Sequence, residues 1–581
     1  MKRTTLCWAC FWLIIFALPL LLSATLFADV GDPPARVARL SFIKGTVSLQ
    51  PSGVDDWSQA TPNYPLTTGD RIYTDQDSQA ELEVGSAAVR ASATTDLTVA
   101  NLTDQFMQLG LGEGTIRLRV YDLASGDSIE VDTPNGALTL LLPGDYRVET
   151  FPNGGATLVI VTNGKLEVSG GGVPQWVESG QAVKLTGTGP IQVSFVSPPA
   201  SDAFDEWCWE RDSRFTASDS VRYVSRETPG YYDLDTYGVW DEDTPFGPVW
   251  YPSGVVVGWV PYRVGHWVWV VPWGWAWVES EPWGFAPFHY GRWVLIGMRW
   301  GWVPGPVAVR PYYAPALVVF LGGPQFSLGI GVGDVQAWFP LGPGEPFFPW
   351  YHYGSAYLRR VNATNIRNAT NITEITSITD INSIHFANRG VATTVVPTNA
   401  FSSGQRIDRQ VIAPSSEQLA RAEIIPHPET NPTARALGGG KPAPNPPGIA
   451  TRATIAATGE RLPPAPGAGQ PYQPPVVARN APAAGGMASG PSRTPPRLIT
   501  RSALPPPKVP FSTRLQALQA HPGRPLEPQQ EENLRAGKPA GPMRDREFPP
   551  HPAPAAPAAH PQPTPKAEPA PAPRLGSEPK R

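Results

Sequence analysis

The chain has 581 residues, a net charge of −4, 70 prolines and 56 glycines. That length exceeds one domain, and Pro plus Gly above a fifth of the residues excludes a single core running through all of it. Charge is divided too: residues 441–581 carry 18 Lys+Arg against 8 Asp+Glu, a balance of +10 that leaves −14 on residues 1–440. A chain-wide nucleic-acid binder is thereby excluded, and only the C-terminal end is suited to anionic surfaces.

The first residues, MKRTTLCWACFWLIIFALPLLLSATLFADV, place Lys2 and Arg3 before an uncharged apolar run from Leu6 to Phe27. This predicts a secretory signal spanning 1–28. Cleavage is expected after Ala28, with Ala24 as the other candidate, and an uncleaved anchor is the alternative because the run is long enough to span a bilayer. The protein is therefore expected in the periplasm or cell envelope of a bacterium, with no stable membrane span once the signal is removed. Cys208 is then the one remaining cysteine. Its setting, Trp207-Cys208-Trp209, fits a buried small apolar residue better than a nucleophile.

Residues 36–195 alternate short β-type runs with Gly, Asp and Asn turns. One unit recurs, a glycine turn followed by alternating apolar residues: KGTVSL from Lys44, EGTIRLRV from Glu113, NGALTLLL from Asn135, NGKLEVSG from Asn163 and SGQAVKL from Ser179. Period-two alternation puts Val, Leu and Ile on one face. An all-β domain of stacked strands is predicted, as a sandwich, a jelly roll or a short solenoid. On GTVSL (45–49), PLTTGDRIYTDQDSQAELEVGSAAVRASATTDLTV (65–99), LGEGTIRLRV (111–120), IEVDTPNGALTLLLPGDYRVE (129–149), VTNGKLEVSG (161–170) and ESGQAVKL (178–185), this region resembles the FecR domain. The resemblance implies an extracytoplasmic interaction module. The family's founding member relays occupancy of an outer-membrane transporter to a sigma factor through a cytoplasmic segment. Here only about nine residues stand where that segment would be, which puts direct sigma-factor control in doubt.

Residues 201–228 change period. Phe204, Cys208, Arg211 and Phe215 fall on one helical face, Ser201 or Asp202 can cap the start, and Asp205 and Glu206 suit the first turn. A connecting helix is predicted, docked by its aromatic side, with its acids forming a solvated face.

Residues 229–345 are aromatic and repetitive. GWVPYRVGHWV from Gly258 returns as GFAPFHYGRWV from Gly284, and each copy is followed by Trp-Gly-Trp, at 273–275 and 300–302. Duplicated β-hairpins are predicted. On a strand, Trp267, Trp269, Trp273, Trp275 and Trp277 share one face, and Pro272 marks an edge or break. The leading expectation is aromatic cross-strand packing. The alternative is a row of exposed rings that stacks on sugar or on a partner protein, with Tyr262, Arg263, His266, His289, Tyr290 and Arg292 as polar neighbours. With the Val-Pro-Gly at 303–305, these repeats resemble a tryptophan-rich domain of unknown function that commonly follows FecR domains in bacterial envelope proteins. FSLGIGVG, with Phe326, Leu328, Ile330 and Val332, reads as a further strand.

Residues 346–400 read as an extended Asn/Thr/Ile-rich segment, with Ile372, Ile375, Ile378, Ile381 and Ile384 at a period of three. Residues 401–581 read as a disordered Pro/Ala/Arg-rich tail, in which 511–537 has the makings of a short helical docking motif. The chain after the signal contains no GxSxG, Walker loop, HExxH or CxxC. Glu279 and Glu281 are a weak candidate pair for glycoside hydrolysis. No catalytic residue, metal site or cofactor is expected. The expected class is a non-enzymatic binding or sensing module for an envelope protein or cell-wall polymer. The second reading is a carbohydrate- or peptidoglycan-binding protein, and the third a glycan hydrolase.

Overall fold

A computed structural model describes residues 31–170, 174–188, 190–307, 310–323, 326, 334–367, 381, 384–446, 454–456 and 509–543. The protein is mostly β-sheet and multi-domain. The signal region, Leu328, Ile330 and Val332 of FSLGIGVG, and Ile372, Ile375 and Ile378 lie outside the described residues.

The first unit contains β1 (Ala38–Lys44), β2 (Val47–Gln50), β3 (Ser58–Gln59), β4 (Pro65–Leu66), β5 (Arg71–Thr74), β6 (Gln79–Val84), β7 (Ala87–Ala91), β8 (Thr95–Leu102) and β9 (Phe106–Val120). It continues through β10 (Ser128–Thr133), β11 (Gly136–Leu140), β12 (Gly144–Thr150), β13 (Ala156–Asn163), β14 (Lys165–Ser169), β15 (Gln175–Glu178), β16 (Gln181–Thr186) and β17 (Gln192–Val196). One sheet runs β4-β1-β6-β7-β9-β12-β13-β16-β17 and the other β3-β2-β5-β8-β9-β10-β11-β14-β15. Neighbours are antiparallel except β9 and β10. Strand β9 belongs to both sheets: Met107–Glu113 pairs with β8, and Gly114–Val120 pairs with β12.

The recurrent glycine unit is the corner of this sandwich. Gly45, Gly114, Gly164 and Gly180 sit where the chain passes from one sheet to the other, all with positive φ. At Gly114 (φ +95°) a Cβ would lie 2.5 Å from the Cα of Thr95, so glycine is required both for the backbone conformation and for the close approach. Leu82, Val89, Leu118 and Val148 from one sheet and Ile72, Leu97, Leu109 and Val131 from the other are buried between them.

Helix α1 (Ala203–Ala217) is capped by Asp202, whose carboxylate accepts from the amides of Phe204 and Asp205. The predicted face, Phe204, Cys208, Arg211 and Phe215, is buried.

The second unit is built from hairpins. Strands β18 (Gly238–Asp241) and β19 (Val249–Pro252) join β22 (Arg292–Ile296) and β23 (Arg299–Val303) in one sheet, and β20 (Gly265–Val270) pairs with β21 (Gly274–Glu279). Both copies of the repeat thus form hairpins, with Trp267 opposite Trp277 and Trp293 opposite Trp302. Pro272 lies in the β20–β21 turn.

Beyond residue 345 the chain differs from expectation. The sheet of β24 (Val318–Gly322) and β25 (Val335–Pro340) is completed by β26 (Thr394–Pro397) and β27 (Glu423–Ile425), in the order β26-β25-β24-β27. Residues 346–400 are not simply extended, since α2 (Ser355–Ala363) and β26 are regular. Residues 401–446 are not a disordered tail, since Phe401, Ile407, Ala436 and Leu437 are buried. Strands of three and four residues among Pro, Asn and Thr carry too little periodicity to be read locally. They form because β24 and β25 offer an unpaired backbone edge.

Candidate functional site

The tryptophan hairpin was the leading candidate. In an antiparallel pair, directly opposite residues share a face, so Trp267–Trp277 and Trp269–Trp275 form two successive cross-strand pairs. Both are edge-to-face, with centroids 5.5 and 5.3 Å apart. Trp338 and Phe401 pack onto Trp267, and Phe401 also onto Trp275. On the other face Gly439 is held close against Val268 and His266. Trp267, Trp273, Trp275 and Trp277 are fully buried, and Trp269 is 4% exposed. The exposed-ring alternative is corrected: both faces of the hairpin are covered by segments from β25 onward. Each indole removes on the order of 150–250 Å² from water, which at about 25 cal/mol per Å² is roughly 4–6 kcal/mol.

The polar neighbours are likewise engaged internally. Tyr262, buried, donates to the Phe288 carbonyl at 2.6 Å and accepts from the Leu317 amide at 3.0 Å. Buried Arg292 donates to the carbonyls of Glu345, Gly291 and Asn365 and to the Asn362 amide oxygen, clamping 345–365 onto the hairpins. Burial pulls its guanidinium down to about 10. Arg263, half-buried, reaches Thr394 Oγ1 and the Thr393 carbonyl. The Tyr290 carbonyl receives Trp302 Nε1 at 2.7 Å. His289 Nδ1 is 2.8 Å from the Ala314 carbonyl. Burial lowers His266 to about 4 and His289 to about 3, so both are neutral at neutral pH.

Glu279 is buried. It accepts from Trp277 Nε1 at 3.0 Å and from the Ser280 amide at 3.1 Å, and burial, with Glu281 adding, raises its carboxyl to about 8. The Glu279 and Glu281 carbonyls both receive Asn63 Nδ2 from the first unit. The candidate glutamate pair therefore sits at the joint between the units. Among the described residues no group of three His, Cys, Asp or Glu could hold a metal ion.

That joint contains the polar cluster that sequence reasoning missed. Glu81, Arg90, Arg117 and Arg147 are in register across β6, β7, β9 and β12 on the outer face of their sheet. Three arginines side by side repel one another unless acids interleave. Helix α1 supplies them: Asp212 bonds Arg90 at 2.6 Å, Asp205 bonds Arg117 and also Arg147 at 2.7 Å, and Arg211 Nε bonds Glu81 at 2.8 Å. Asp205 and Asp212 are thus pairing groups, which corrects the solvated-face expectation. Burial alone would raise Glu81, but Arg211 and Arg90 outweigh it and hold the carboxyl down to about 2. Beside this row, Arg39 bonds Asp233 at 2.6 Å, Asn63 at 3.0 Å and the Pro282 carbonyl at 2.7 Å. Cys208 is buried beneath the helix, and burial pushes its thiol up to about 12. The alternating charges in QAELEV and TIRLRV were legible, but the helix that covers them was not.

The two ends of the sandwich differ. At the β3/β4 end, Gln59 donates to the Lys441 carbonyl at 2.7 Å and Ala443 to the Trp57 carbonyl at 2.9 Å, so residues 441–443 lie along β3. At the other end, β15 and β17 pair on one side only among the described residues. Trp176 (55%) and Phe195 (56%) are exposed there, with Leu141 and Leu142 exposed in the loop before β12. Strand β17, QVSFV, carries neither the Lys nor the Pro that blunts free edges. Lys165 Nζ sits 4.4 Å from the Trp176 ring.

Residues 231–345 match the model of a family of unknown function, DUF6600, two residues inside the start expected from the repeat. No curated protein matches the chain. Among solved structures, two crystal structures of a "putative anti-sigma factor" from Parabacteroides distasonis ATCC 8503 align with it. They are 16% and 15% identical, each with a TM-score of 0.21, covering 24% of this chain and 63% and 64% of the other. The chain therefore spans less than two thirds of that neighbour's length. No helix among the described residues is long and apolar enough to cross a membrane.

Proposed function

We propose that this is a non-enzymatic, exported bacterial envelope protein. In this reading it binds or senses an envelope protein through the sheet edge at β17, where Phe195 is exposed and Trp176 lies nearby. The observation that supports this is the asymmetry of the sandwich. One end is covered by the chain's own residues 441–443, and at the other Trp176 and Phe195 are exposed and β17 pairs on one side only among the described residues. An open strand edge recognises an extended segment by main-chain hydrogen bonds and exposed rings. The FecR-like pattern supports an extracytoplasmic interaction role. The buried Trp hairpin acts as scaffold.

The test is site-specific photocrosslinking in the envelope from positions 176 and 195 of the full chain, with position 209 as a control. A discrete protein adduct from 176 and 195, lost in a Phe195→Pro variant that remains folded, is the expected result. Retention on purified peptidoglycan that Trp176→Ala abolishes would favour the wall-polymer reading, since the ring flanked by Lys165 suits stacking. Absence of both would reject the edge as the binding surface. N-terminal sequencing that begins at Asp29 would support export with cleavage.

A further inference from the structure

Helices α3 (Phe511–Leu518) and α4 (Pro528–Arg535) form a small contacting pair that seats across the joint between the two β units. The Phe511 amide donates to the Gly53 carbonyl, Arg514 to the Ser52 carbonyl at 3.2 Å, and the Gly523 amide to Asn431 Oδ1 at 3.2 Å. A narrow cleft beneath the pair is lined by Trp269, Val271, Phe511, Arg514, Leu518 and Leu526. The segment from Val509 to Met543 thus covers the tip of the tryptophan hairpin from outside.

Two features bear on how firmly this contact is held. The first is its tether. Fifty-two residues separate Ala456 from Val509, a reach on the order of 170 Å when fully extended at roughly 3.3 Å per residue. The second is its incomplete satisfaction. Arg514 is 4% exposed, its Nε has no partner, and the nearest carboxylate, on Glu531, is 3.9 Å away. A buried guanidinium so loosely matched returns little of its desolvation cost. Arg39 and Arg90, by contrast, meet carboxylates at 2.6 Å.

We propose that residues 509–543 are a separable internal ligand, and that the groove between the Ser52–Gly53 turn, Trp269–Val271 and Asn431 is a binding site for an amphipathic helical segment, filled in cis by this one. Leu518 and Phe511 are its apolar anchors. When the segment leaves, Trp269 loses its outer cover and the groove is open to the same segment from a second copy.

The experiment uses the full chain with a protease site inserted near residue 485, cut after folding. The C-terminal piece is expected to co-elute with the body at high concentration, to separate on dilution, and to exchange with a fluorescent 509–543 peptide. The body's thermal transition should stay cooperative after the piece is lost. Leu518→Asp should weaken retention at least tenfold, whereas Arg514→Met should leave it equal or tighter. Retention that persists until the body itself unfolds would overturn the proposal, because the segment would then be part of the fold. So would a failure to co-elute at any concentration while the body stays folded.

Discussion

The sandwich and the Trp-rich unit solve the same problem with opposite materials. The sandwich has an aliphatic interior, and its two ladders run almost entirely within 160 residues, with only residues 441–443 added along β3 from far downstream. The Trp-rich unit has strands of four to six residues and a core of indoles. Its sheet is finished by β26 and β27, which lie up to about a hundred residues downstream, and its hairpin is covered by Phe401 and Gly439. Short strands bury bulky rings but leave edges and gaps that local sequence cannot close. A domain of aromatic hairpins therefore borrows cover from the rest of the chain.

The comparison breaks most visibly if that cover is removed. A chain ending at residue 393 lacks β26, Phe401 and β27. Calorimetry should show the Trp-rich transition lost while a cooperative transition of the sandwich remains, and a single intact transition would contradict the borrowed-cover account. Within the intact chain, Trp267→Ala should cost about 3–5 kcal/mol by leaving a cavity among Trp277, Trp338 and Phe401, read from denaturant midpoints. At the joint, Arg117 also bonds Asp145 at 2.5 Å; Arg117→Ala strands Asp145 in a buried setting while Asp205 keeps Arg147, and should cost a similar ~3–5 kcal/mol, with little salt dependence because these groups are screened from solvent.

A smaller effect sharpens the view of the joint as a dry interior. The Glu279 carboxyl is near 8 in the folded state against 4.5 ordinarily. The folded state therefore holds a proton that the unfolded chain releases between these values. For this group stability is greatest below pH 4.5 and declines as pH rises toward 8, by at most about 1.4 kcal/mol per pH unit. His266 and His289 act in the reverse sense, costing stability as pH falls below 6.5. Subtracting Glu279→Gln from the parent isolates the glutamate: the difference between the two in urea midpoint should slope between pH 5 and 8, and a flat difference would mean that Glu279 is hydrated. Smallest of all, Trp176→Ala should change stability by no more than about 0.5 kcal/mol, since that ring is half in water.

Much of the architecture was legible in local pattern. The capping aspartate and the face of α1, the glycine corners and the paired hairpins all follow from periodicity and backbone freedom within a few residues. The candidate site was legible only as a set of directions. Alternation placed Trp267, Trp269, Trp275 and Trp277 on one face, but the same alternation is compatible with a core or a surface. Likewise it pointed Glu81, Arg90 and Arg117 away from the sandwich interior without showing that α1 would cover them.

What the sequence by itself determined, then, is which side chains point the same way, because φ/ψ preference and strand period act between neighbours. Only the tertiary structure decided what each face meets: indoles against Phe401 and Trp338, arginines against Asp205 and Asp212, and at Trp176 and Phe195 rings left about half exposed. Burial and ion pairing depend on segments far apart in the chain, and their cost and gain exist only once those segments are brought together and water is removed.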